Sequence, residues 1–181
     1  MKSFTVLPLG AYAFLLLEEH LFLKQCQVDT YAASGPGGQK RNRTYSAVRI
    51  RHSKTGLSVI AEESRSQAEN KTKALKRLKK AIALNIRKDP ASSAFKLHET
   101  MRPLFHQDSS LRINIKNPLY PMFCATVLDA VFAAGGKTAN VSEILKISTG
   151  KLNKILSRDR DLLGAANQIR QHFGLKPLKE S

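Results

Sequence analysis

Thr44-Tyr45-Ser46-Ala47-Val48-Arg49-Ile50-Arg51-His52-Ser53-Lys54-Thr55-Gly56-Leu57-Ser58-Val59-Ile60-Ala61 changes character at every second residue. Val48 and Ile50 share one face with Ser46, while Tyr45, Ala47, Arg49 and Arg51 share the other, which is the two-residue period of a half-buried strand. Ser53-Lys54-Thr55-Gly56 has hairpin-turn composition, and Leu57 to Ala61 reads as the returning strand. Upstream, residues 26–33 with Val28, Thr30 and Tyr31 predict a third strand, after a short helix from Leu15 that ends near Gln25. Downstream, Ser66 with Glu69 three residues later predicts a capping box, and Leu75, Leu78 and Ile82 predict the buried stripe of a long helix. Lys71, Lys73, Lys76, Arg77, Lys79, Lys80 and Arg87 cover the rest of that helix, which is expected to run until just before Asp89-Pro90.

After Pro90 the pattern changes. Residues 90–119, punctuated by Pro103 and Pro118, read as a linker region holding a short helix. Phe123, Val127, Leu128, Val131 and Phe132 then predict an amphipathic helix stopped by Gly135-Gly136. Shorter helices follow on Val141, Ile144 and Leu145 and on Leu152, Ile155 and Leu156. A last helix, capped by Asp159 and carrying Leu162, Ile169 and Phe173, ends at Gly174 and Pro177. The expected class is α+β: residues 1–89 form a small mixed sheet with a packed long helix, and residues 120–181 a small all-helical domain. Val141 to Leu156 has helix-turn-helix spacing, with Lys151, Asn153, Lys154 and Arg158 on its solvent side.

The chain has 181 residues, 30 Lys+Arg and 14 Asp+Glu, for a formal charge of +16. Residues 39–88 alone hold fifteen cations and three acids. Such a concentration calls for a polyanion, most simply a nucleic acid. The length excludes a catalytic barrel, two distant cysteines exclude a disulfide framework, and no apolar run is long enough to span a membrane. The first seventeen residues imitate a secretory leader only faintly, because Pro8, Gly10 and Glu18-Glu19 break the apolar stretch, so a cytoplasmic chain is expected. Five scattered histidines predict no metal site and no cofactor is implied. Gly135-Gly136-Lys137-Thr138 lacks the first glycine of a phosphate-binding loop, Val131 standing there instead.

Between the first two strands lies Ser34-Gly35-Pro36-Gly37-Gly38-Gln39, followed by Lys40, Arg41 and Arg43. Together with Asn42, Thr44, Ser46-Ala47-Val48-Arg49-Ile50, His52, Thr55-Gly56, Arg65-Ser66-Gln67, Asn70-Lys71 and Ala74, it resembles the GGQ domain of class I peptide chain release factors, in register from about Asp29 to Ile82. The resemblance implies hydrolysis of the ester that joins the nascent peptide to P-site tRNA. It places the chemistry at Gly37, Gly38 and Gln39, while the concentration of basic residues places the RNA contacts at Lys40, Arg41, Arg43, Arg49, Arg65, Lys71, Lys73, Lys76, Arg77 and Lys80. Lys40-Arg41 stands where the family usually has His-Val, and Tyr45 where an acid is common. Only 33 residues precede Ser34, too few for a codon-reading domain, so the short codon-independent rescue type is expected. Residues 162–181 do not form the basic tail of that type. The expected partners are ribosomal RNA and P-site peptidyl-tRNA, bound by a monomer with no membrane contact. The alternative is a non-catalytic ribosome- or RNA-binding protein that uses the GGQ loop for docking.

Overall fold

The computed structural model describes residues 4–32, 45–90, 95–106 and 113–179. In chain order its elements are β1 (Thr5–Leu7), α1 (Tyr12–Leu15), α2 (Glu19–Lys24), β2 (Cys26–Tyr31), β3 (Ala47–His52), β4 (Ser58–Ala61), α3 (Gln67–Asn85) and β5 (Ile86–Lys88). A 3-10 turn (Glu99–Met101) leads into α4 (Arg102–His106), and α5 (Tyr120–Ala133), α6 (Thr138–Leu145), α7 (Thr149–Ser157) and α8 (Arg160–His172) complete the chain. Two compact units result, one of residues 16–82 and one that joins residues 1–15 to 83–181.

The 16–82 unit is an antiparallel sheet of order β2-β3-β4 with α2 and most of α3. Val28 pairs with Ile50 and Ile50 with Val59, so one face carries Val48, Ile50, Val59 and Ala61. Phe22, Val48, Ile50, Ala61, Ala74, Leu75, Leu78 and Ile82 are buried, and the stripe predicted for α3 is the one that builds this core. Each of the Phe, Val, Leu and Ile side chains among them contributes about 1.5–3 kcal/mol on leaving water. The capping box forms by relay. The Glu69 N–H donates to Ser66 Oγ at 3.3 Å, but the Glu69 carboxylate accepts the Ser64 hydroxyl, and Ser64 Oγ accepts the Ser66 N–H at 3.1 Å.

The other unit corrects three expectations. The long helix stops at Asn85, because residues 86–88 form β5, paired in parallel with β1. Gly10, at φ +61, lets the turn after β1 pass Lys88 where a Cβ would lie 2.9 Å from the Lys88 Cβ and 3.0 Å from its backbone. The first fifteen residues therefore belong with the helical part rather than with the sheet of β2, β3 and β4. Arg87, expected on a basic surface, is wholly buried: it donates to the Asp129 carboxylate at 3.0 Å and to the Ala83 carbonyl. Burial pulls its pKa down and pushes that of Asp129 up, each opposed by the partner's charge.

Helix α5 is buried on every side rather than amphipathic, with twelve of its fourteen residues in the interior. A helix enclosed by its neighbours needs no polar face. Gly135 and Gly136, both at positive φ, turn the chain after it as expected. Met101 and Phe105, from the stretch read as linker, are buried in this unit, and the Phe105 ring stacks on Phe123 at 5.6 Å. Helices α6 and α7 meet through Lys146 in the left-handed region at φ 54, and Ser148 caps α7 by accepting the Lys151 N–H. Asp159 caps α8 as read from the sequence.

Candidate active site and nucleic-acid interface

Gly37, Gly38, Gln39, Lys40, Arg41 and Arg43 lie outside the described residues. In sequence they fall between Tyr31 at the end of β2 and Ala47 at the start of β3, which pair with each other. The Gly-Gly-Gln sequence thus lies on the connection between two adjacent antiparallel strands.

One end of that connection is tied down by Asn70. Its amide Nδ2 donates to the Ser46 carbonyl at 2.7 Å and to the Ser64 carbonyl at 2.8 Å, while its Oδ1 accepts the Ser64 N–H at 3.0 Å. Asn70 is fully buried, so each of these bonds replaces a water contact that the backbone group would otherwise lack. The resemblance had singled out Asn70-Lys71 without a role for the asparagine; a polar residue heading an apolar helical stripe was the available signal.

The cations sort into two groups. Arg65, Lys71, Lys73 and Lys76 are exposed, and none pairs with a described carboxylate. Lys73 and Lys76 are close neighbours on the outer side of α3. Lys71 lies four residues before Leu75, on the line of the buried stripe, yet is exposed at the first turn. Arg49 is engaged: its guanidinium donates to Asp29 Oδ2 at 2.9 and 3.1 Å and holds that carboxyl below the usual carboxylate range. Arg77 pairs with Glu63 and donates to the Ile60 carbonyl at 2.7 Å. Lys80 is half-buried, and the Lys79 ammonium stands 5.5 Å from the centre of the Phe22 ring.

Arg51 was not among the expected contacts. It lies on the same outward face as Arg49, is exposed and makes no ion pair with a described residue; the alternation in β3 carried that signal. His52 is fully buried and stacks on Phe22. Its Nδ1 accepts the Thr55 N–H at 3.3 Å, which assigns the proton of the neutral ring to Nε2, and burial lowers its pKa. In the other unit Asn153, Lys154 and Arg158 are exposed and Lys151 half-exposed. Among the described residues no three His, Cys, Asp or Glu side chains converge as metal ligands would, and no helix is long and apolar enough to cross a membrane.

This sheet, helix and connecting segment have relatives. The family model of the RF-1 domain matches residues 18–117, more than half of the chain. Peptide chain release factor 1 of Bifidobacterium adolescentis is 39% identical over 95 residues, which cover 52% of this chain and 25% of the relative. The protein of the same name from an Exiguobacterium species is 48% identical over 63 residues (35% and 18%). That of Magnetococcus marinus is 52% identical over 60 residues (33% and 17%). The chain spans a quarter or less of the length of these curated relatives.

Proposed function

The chain belongs to the RF-1 domain family, and on that premise we propose that it hydrolyses the ester of peptidyl-tRNA on the ribosome without reading a stop codon. The observation that carries this reading is the position of Gly37-Gly38-Gln39 on the β2–β3 connection, whose far end Asn70 ties to the start of α3. Water adds to the ester carbonyl carbon, the bond to the tRNA ribose oxygen breaks, and that oxygen takes a proton as peptide acid and free tRNA separate. Such a reaction needs a positioned water and a donor to the oxygen that gains charge, rather than a strong base. The backbone N–H of Gln39 supplies that donor, Gly37 and Gly38 let the backbone approach the ester, and the Gln39 amide excludes nucleophiles larger than water. The exposed cations Arg51, Arg65, Lys71, Lys73 and Lys76, together with Lys40, Arg41 and Arg43, hold RNA phosphates; no metal or organic cofactor takes part.

The test is release of labelled peptide from ribosomes stalled on an mRNA that lacks a stop codon. The parent should release peptide, and Gln39→Pro, which removes the backbone N–H, should lose about 100-fold or more while still binding ribosomes, as expected for the loss of an oxyanion donor; Gln39→Ala, which keeps that N–H, should instead admit nucleophiles larger than water. Release only when a stop codon occupies the decoding site overturns the codon-independent part. No release by the parent, with ribosome binding intact, overturns hydrolysis and leaves a protein that docks through this loop; parental release by Gln39→Pro overturns the role given to the Gln39 N–H.

A further inference from the structure

We propose that the helical unit carries an RNA-binding face of its own, formed by the cations of α7 and by a cavity at its C-terminal end that receives one unstacked nucleotide. Leu152, Ile155 and Leu156 are buried. That turns Gly150, Lys154 and Arg158 outward in a line, with Asn153 beside them and Lys151 half-exposed on the flank. Helix α7 contains no acid, and residues 137–158 hold five cations against Glu143 alone. Lys151, Lys154 and Arg158 pair with no described carboxylate. A solvated face does not need this one-sided charge, whereas a row of phosphates matches it.

The second observation is the cavity of about 510 Å³ that Arg158 helps to line. Lys116 is the other cation of its lining, and Ile115, Phe123 and Ile155 give it apolar walls. Ile115 is 53% exposed. Asn114 also lines the cavity, and its Oδ1 already accepts the Lys116 N–H at 2.8 Å, so its amide nitrogen remains to donate. Apolar walls, one amide donor and two cations match a base with its phosphate, the combination by which proteins take up unstacked nucleotides. An α-helix does not fit the narrow major groove of A-form RNA, so α7 lies along the backbone and the reading occurs at a loop nucleotide. The preference for RNA over DNA rests on the function proposed above; the cationic face and cavity do not.

The experiment uses the full chain and a naked RNA hairpin with 4-thiouridine in its loop, photocrosslinked and mapped by mass spectrometry. With no ribosome and no peptidyl-tRNA present, its outcome is separate from that of the release assay. Crosslinks within residues 113–123 and 151–158 are expected. Ile115→Glu with Arg158→Glu should weaken hairpin binding at least tenfold, and Arg158→Lys should largely retain it. Helicity equal to the parent's by circular dichroism excludes misfolding of the charge-reversed variant. Crosslinks confined to residues 16–82 overturn the proposal, as does parental affinity in the folded double variant. Equal competition by the same hairpin in DNA overturns the assignment to RNA, and an acidic peptide that displaces the RNA as well as unlabelled hairpin does overturns the assignment to a nucleotide.

Discussion

Asn70 donates to the carbonyl of Ser46 across 2.7 Å, joining the first turn of α3 to the backbone where the chain enters β3 from the Gly-Gly-Gln connection. Ser46 is mostly buried and Asn70 entirely so. Of the directions from which the chain could enter β3, this bond selects one. It also places the polar start of α3 at the same end of the sheet as that connection.

Replacing Asn70 with Ala should therefore leave the carbonyls of Ser46 and Ser64 without their donor. Urea unfolding should show a loss of about 1–3 kcal/mol, the cost of stranding buried backbone groups. Peptide release should fall as well, although Gln39 is untouched. Unchanged stability would remove the clamp.

The buried pair of Arg87 and Asp129 predicts a non-additive result. Arg87→Leu or Asp129→Leu alone should cost roughly 3–5 kcal/mol, because each leaves a charge in the interior. The double variant should recover much of that loss, with the Lys88 N–H, which donates to Asp129 at 3.1 Å, as the group still unsatisfied. Thermal unfolding of the three variants measures the coupling.

His52 gives a pH dependence whose sign follows from its environment. Burial, and then the nearby Lys54, lower its pKa below the ordinary histidine value. The unfolded chain thus takes up a proton that the folded chain refuses, and the stability it contributes is present above pH about 6.5 and is lost as pH falls through the lower, folded pKa. Protonation at Nδ1 would also turn away the Thr55 N–H. Urea midpoints of the parent should fall on acidification through this range, and His52→Asn should show a flatter profile about a lower midpoint.

Salt dependence should separate free cations from engaged ones. Lys73→Ala or Lys76→Ala should each reduce the slope of log binding constant against log salt by about 1 on RNA. Arg49→Ala should change the slope less, since its guanidinium is already paired with Asp29. Equal effects at all three positions would show that the Arg49–Asp29 pair opens on binding.

The sequence by itself determined the elements whose periods are local. Alternation in Thr44–His52 specified β3 and its buried Val48 and Ile50, Leu75, Leu78 and Ile82 specified the inner face of α3, and Gly135-Gly136 specified the end of α5. Gly37-Gly38-Gln39 and its flanking residues specified the family in the same way, because a motif in register is itself a local pattern. Tertiary structure decided what depends on partners distant in the chain. Arg87 reads as one more surface cation until Asp129, forty-two residues away, accounts for its burial. Thr5–Leu7 has no local reason to leave the sheet that follows it, and does so because Ile86–Lys88 offers a parallel edge. Helix α5 reads as amphipathic from its own residues, but neighbours on every side bury it. Local steric and hydrophobic periods are written in adjacent residues, whereas the pairing of buried polar groups is set only when distant segments meet and exclude water.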